Sequence, residues 1–210
     1  MIILSHRGYW LEEAEKNSRV AFERSFSLGF GTETDVRDWD GQLVISHDPA
    51  NRECMTLETF LQLYLSYPSR PTLALNIKAD GLQAELQRQL SVFGIENYFV
   101  FDMAVPDGML YLRCGMNAYT RHSEYEPVPP YYAQAHGVWL DEFDDHWLSD
   151  EVIENHISAG KAVCIVSPEL HKRSYEKEWA HYRELEKRLG KDTLMLCTDL
   201  PEHAKEFFNA

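Results

Sequence analysis

The chain of 210 residues is short of positive charge: 20 Lys and Arg stand against 34 Asp and Glu, a formal net charge of −14. A broad cationic surface for nucleic acid or anionic lipid is therefore not expected, and any anionic ligand needs a local cation. Long apolar runs are also missing. No stretch of about 18 apolar residues occurs, so no membrane insertion is expected. The opening MIILSHRG passes from apolar residues straight into charge without signal-peptide features, which leads to the expectation of a cytoplasmic chain. Cys54, Cys114, Cys164 and Cys197 are scattered and form no C-x-x-C pair, so they read as reduced structural thiols rather than as a disulfide framework. Domain linkers and low-complexity stretches are absent too. What remains is an ordinary globular composition, 44% hydrophobic and 26% charged, which is enough for one domain spanning 1–210 around a substantial core.

Short β-prone runs recur at 2–4, 31–36, 73–77, 98–101, 116–119, 138–140, 162–166 and 193–197. Apolar spacing of three and four predicts helices between them at about 19–29, 56–66, 80–93, 105–112, 149–158, 173–189 and 201–208. Thr56, Asp80 and Ser149 each stand where a helix N-terminus needs an oxygen acceptor. Alternation of this kind builds a parallel sheet covered by helices, and eight strand–helix units imply a closed (β/α)8 barrel, a TIM barrel, near the small end of its size range. Asp40-Gly41 predicts a hairpin turn after the second strand. Residues 121–132, with Pro127, Pro129 and Pro130, read as a loop after the fifth.

In such a barrel the chemistry sits at the strand C-termini. Several runs end in ionisable groups: Ser5-His6-Arg7-Gly8, Glu33 with Asp35, His47-Asp48, Asn76-Ile77-Lys78, Asp141-Glu142 and Ser167-Pro168-Glu169. Glu33 and Asp35 are two apart on one strand and so face the same way. Two inward carboxylates repel, which a bound hard cation such as Mg²⁺ or Ca²⁺ would resolve. Pairing of one carboxylate with Arg7 or Arg37, with no metal, would resolve it as well. His6 and His47 suit a pair of acid/base groups facing one pocket. The other seven histidines (122, 136, 146, 156, 171, 181, 203) read as surface or core residues. Among Trp10, Trp39 and Trp139 as pocket aromatics, Trp10 has the best claim because it follows His6-Arg7-Gly8 closely.

The string His6-Arg7-Gly8, Asn17, Ala21-Phe22, Gly29, Glu33-x-Asp35-Val36, Asp40-Gly41 and His47-Asp48 resembles the glycerophosphodiester phosphodiesterase family in order and spacing. Residues 73–78 are similar to that family's E-I-K strand, and Thr198-Asp199-Leu200-Pro201 to its closing T-D-x-P, whereas the middle of the chain from about 95 to 190 contributes little. The resemblance implies a (β/α)8 barrel that hydrolyses a small phosphodiester with a divalent cation. It makes Glu33 and Asp35 metal ligands, His6 and His47 the acid/base pair, and Arg7 and Lys78 phosphate contacts.

Three departures stand out. The family's third carboxylate ligand falls on Asn76. Its P-E-N reads Glu15-Lys16-Asn17, and the insertion that often follows H-D is almost absent. The leading reading is a metal-dependent phosphodiesterase acting on a glycerophosphodiester or a related small ester. The alternative is a non-catalytic ligand-binding protein on the same barrel. A carbohydrate isomerase or aldolase explains the carboxylates but not H-R-G and H-D together.

Overall fold

Residues 1–209 are described in a computed structural model. The strands are β1 (Ile2–His6), β2 (Gly31–Trp39), β3 (Gln42–Ile45), β4 (Leu73–Ile77), β5 (Tyr98–Phe101), β6 (Tyr119–His122), β7 (Gly137–Leu140), β8 (Ala162–Val166) and β9 (Leu194–Thr198). The helices are α1 (Arg19–Ser27), α2 (Leu57–Leu65), α3 (Gln83–Val92), α4 (Val105–Arg113), α5 (Asp150–Ser158), α6 (Glu176–Leu189) and α7 (Pro201–Asn209).

All strands except β3 run parallel in the order β5-β4-β2-β1-β9-β8-β7-β6, and a single bridge between Val100 and Ala118 brings β5 and β6 together to close the ring. β3 lies antiparallel on the end of β2. Asp40 (φ 48°) and Gly41 (φ 76°) are both left-handed, as a tight two-residue hairpin turn requires.

Strand alternation sorts the apolar residues into two environments. Leu4, Ala74, Phe99, Tyr119, Cys164 and Met195 point inward and fill the barrel. Leu73, Leu75 and Val100 point outward against the helix layer, where Phe22 and Phe26 of α1 meet Phe60 and Tyr64 of α2. Val163, Ile165 and Leu196 do the same beneath Trp179 and Tyr182 of α6. Each such side chain contributes roughly 1.5–3 kcal/mol by leaving water, so helices and sheet hold each other in place. Burial pushes the Cys164 and Cys197 thiols well above their ordinary pKa, and all four cysteines are unpaired.

The helix starts at Thr56 and Ser149 are capped as expected, by bonds accepted from the Thr59 and Val152 amides at 3.2 and 3.3 Å. The start expected at Asp80 is not found. α3 begins at Gln83 without a side-chain cap, after a turn in which Gly81 takes φ 82°. The seven helices are those expected and the connection expected as a loop lies between β6 and β7, so only the count of eight strand–helix units is one helix too high. No helix follows β6, where the proline-rich connection takes its place, so seven helices cover eight parallel strands among the described residues. β6 itself lies further along than the run 116–119 suggested, because Met116 and Ala118 are packed in the outer core and the strand proper continues through polar residues to His122. No helix is long and apolar enough to cross a membrane among the described residues.

Candidate active site

The mouth of the barrel is organised by the turn after β1. Arg7 (φ 58°) and Gly8 (φ 82°) are both left-handed, and a Cβ at position 8 would stand 2.8 Å from the Ala21 Cβ of α1, so only glycine fits there. The turn aims the Arg7 amide at Glu33 Oε2 (3.1 Å) and the Gly8 amide at Thr32 Oγ1 (3.0 Å). β1 pairs with β2 so that His6 lies level with Glu33.

Asp35 is fully buried and is the charge centre of the site. The Asn17 side-chain amide donates to its Oδ2 at 2.7 Å, and Arg7 Nε lies 3.2 Å from the same oxygen. Lys78 Nζ lies 3.5 Å from Oδ1 and 3.2 Å from Asp102 Oδ2. Of the two arginine pairings considered from the sequence, the one with Arg7 is present. Arg37 instead donates to the His47 carbonyl oxygen at 3.1 Å. Glu33 is buried beside Asp35; burial and then that neighbour's charge push its carboxyl well above the ordinary carboxylate range, against the pull of His6, Arg7 and Lys78.

Two buried oxygens of the site accept no hydrogen bond, Asp35 Oδ1 and Asn76 Oδ1. They belong to residues paired directly across β2 and β4. With Glu33 they make a set of oxygen donors of the kind that hard cations take. Among the described residues no three His, Cys, Asp or Glu side chains converge as a metal-ligand group; the third oxygen here is an amide.

His6 Nδ1 lies 2.7 Å from Asp199 Oδ1 and its Nε2 4.0 Å from Glu33 Oε2. His47 is half-exposed, with its Nδ1 2.9 Å from Asp48 Oδ1. Both histidines, Arg7, Glu33, Asn76 and Lys78 line one cavity of about 280 Å³, and Asp35 stands directly behind them. His47 and Arg7 also border a more open groove of about 630 Å³ that runs past Lys16, Asn51 and Met55.

The far wall of the cavity holds residues whose position or role is not the one expected from the sequence. Arg121, expected in a loop, is on β6 and pairs with Asp102 (2.6 Å) and Glu126. His171, grouped with the surface and core histidines, lines the cavity and bonds Asp141 at 2.6 Å. Trp139, rather than Trp10, is the tryptophan of the pocket, stacked on Phe101 with ring centroids 3.9 Å apart. Trp10 spans the turn instead, donating to the His6 carbonyl oxygen at 3.1 Å, with Lys16 over its ring. The strand-end positions of Asp102 and Asp141 were a usable signal, whereas nothing local marks His171.

No family model and no curated protein matches the sequence. Solved structures do match. A Galdieria sulphuraria protein provisionally assigned as a glycerophosphodiester phosphodiesterase superposes with a TM-score of 0.79 at 18% identity, covering 100% of this chain and 98% of that one. The glycerophosphodiester phosphodiesterase of Agrobacterium tumefaciens gives 0.73 at 14% identity, with full coverage of both chains. An Oleispira antarctica phosphodiesterase, solved with its product sn-glycerol-3-phosphate, gives 0.65 at 13% identity over 100% of this chain and 97% of its own. At these identities the likeness establishes the architecture: from end to end this chain has the (β/α)8 barrel found in solved glycerophosphodiester phosphodiesterases.

Proposed function

We propose that the protein is a metal-dependent phosphodiester hydrolase acting on a glycerophosphodiester or a related small phosphodiester. The observation that carries this reading is the meeting, in one cavity, of two histidines, two cations, Glu33 and Asn76, with Asp35 buried directly behind them and an oxygen of Asp35 and of Asn76 accepting no hydrogen bond. Each group has a task in phosphoryl chemistry that no other reading gives it. The likeness to solved phosphodiesterases adds weight at the level of the fold.

Glu33, Asp35 and Asn76 would hold a divalent cation, Mg²⁺ or Ca²⁺, since each offers oxygen and two of those oxygens accept no hydrogen bond, the one on Asp35 lying 3.5 Å from Lys78 Nζ. When bound, the ion would supply positive charge to the phosphoryl oxygens. Arg7 and Lys78, both close to Asp35, contact the phosphate and neutralise charge that develops on it. Asp199 holds His6 through Nδ1, which leaves Nε2 free to take a proton from the nucleophile. His47 stands where the cavity opens into the outer groove, so it protonates the departing oxygen.

Hydrolysis of a generic aryl phosphodiester, with and without Mg²⁺ or Ca²⁺, tests the reading. Cation-dependent turnover, weakened in Glu33→Gln and Asp35→Asn together with cation affinity, is expected. Full activity in excess chelator after dialysis would reject metal dependence. Binding without turnover under every condition would leave the ligand-binding alternative, to which the neutral Asn76 lends its one argument.

A further inference from the structure

Asp141 follows β7, and His171 closes the short 3-10 turn Pro168–His171 after β8. In the strand order β7 stands four places from β2, and β8 four places from β4, so this pair faces Asp35 and Lys78 across the ring. All but Asp35 line the same 280 Å³ cavity.

Asp141 is 6% exposed, and its Oδ1 lies 2.6 Å from His171 Nε2. A buried carboxylate needs a positive partner. Arg121 adds favourable charge from β6, but its guanidinium bonds Asp102 and Glu126, so the direct contact to Asp141 is made by His171. The hydrogen bond to Asp141 raises the His171 pKa, partial burial and nearby Arg173 oppose the rise, and Glu124 from the connection after β6 reinforces it. Phe143 packs on the imidazole with ring centroids 4.8 Å apart, which fixes its plane. The result is an oriented imidazole in the wall of the cavity, biased by Asp141 toward its protonated form and used by no step described above.

We propose that His171, fixed by Asp141, is a third cationic contact for the phosphoryl group, reaching it from the wall that faces Arg7 and Lys78. The phosphoryl identity of the ligand rests on the proposed function; the anion contact itself does not. A phosphodiester carries one negative charge and a phosphomonoester close to two at neutral pH. Cations on both walls therefore favour the phosphomonoester product, and His171 makes the enzyme sensitive to product inhibition.

Sulfate, doubly charged throughout the working pH range, is the probe. Its affinity is measured by calorimetry on the intact chain near neutral and alkaline pH, for wild type, His171→Asn and His171→Lys. A lost charge-assisted hydrogen bond should weaken binding about 10-fold in His171→Asn near neutral pH. Wild type should weaken toward that variant as the imidazolium deprotonates at alkaline pH, and His171→Lys should stay tight at both values. Equal affinity in all three proteins, or no sulfate binding by wild type, overturns the proposal. If sulfate behaves as expected but no phosphodiester is turned over, the contact stands and the phosphodiesterase reading falls. Turnover with sulfate binding indifferent to position 171 overturns the contact and leaves the phosphodiesterase reading standing.

Discussion

His6 and Asp199, 193 residues apart in sequence, are joined by a 2.7 Å bond between Nδ1 and Oδ1. The bond crosses the seam between β1 and β9, where Leu4 pairs with Cys197 and Ser5 with Thr198. Asp199 is itself held, because the half-buried Glu169 accepts its backbone amide at 3.1 Å as well as the Thr198 hydroxyl. The last strand thus fixes the orientation of a ring carried by the first.

Loss of His6 to Ala should reduce kcat by about 10²- to 10⁴-fold, the usual worth of a general acid or base. Asp199→Asn should cost about 10-fold or more in kcat with KM little changed. The double variant should be no worse than His6→Ala, because Asp199 acts only through the ring. Steady-state kinetics of the three proteins decide the matter, and strictly multiplicative losses would detach Asp199 from His6.

His47 gives a contrasting case. His47→Ala should lose turnover to a similar extent while retaining fold and cation affinity. Its partner Asp48 is 87% exposed in its side chain, so Asp48→Asn should change kcat by less than about 3-fold, since exposed ion pairs are worth little. A larger loss in Asp48→Asn would mean that His47 is oriented by it as firmly as His6 is by Asp199.

Position 76 should set cation affinity. The buried Asn76 oxygen has no donor, and a neutral amide draws a cation less than a carboxylate does. Asn76→Glu should tighten Mg²⁺ or Ca²⁺ binding if the longer chain is accommodated, and Asn76→Leu should weaken it. Calorimetric titration giving one affinity for all three proteins would remove Asn76 from the ligand set.

Acid sensitivity should arise away from the site. His156 on α5 bonds His122 on β6 at 3.0 Å and the Tyr132 hydroxyl at 2.9 Å, tying down the connection that lacks a helix. Burial, then the His122 charge, lowers the His156 pKa to about 4. The folded state holds this ring neutral while the unfolded chain binds a proton below about pH 6.5. Its stabilising contribution is therefore complete above that pH and is lost as pH falls toward 4. Wild type should lose several degrees of Tm across this interval, and His156→Phe should lose less. Parallel Tm curves for the two proteins would place the acid sensitivity elsewhere.

The alternating strand and helix signals, the same-face pair Glu33 and Asp35, and the left-handed turn at Asp40-Gly41 are all legible locally, because each depends on backbone geometry over a few residues. So is most of the site. His6, Arg7, Glu33, Asn76 and Lys78 reach one cavity because parallel strands end at one rim, and the hairpin strand β3 returns His47 to it. The true extent of β6 is hidden because its C-terminal half, Arg121 and His122, is polar and half-buried, which leaves no hydrophobic signal for a strand there. The partnerships His6–Asp199, Asp141–His171 and Arg121–Asp102 are not legible at all. Each joins residues from different strand ends, and only closure of the ring, with its register and its packed core, brings those ends within hydrogen-bond distance.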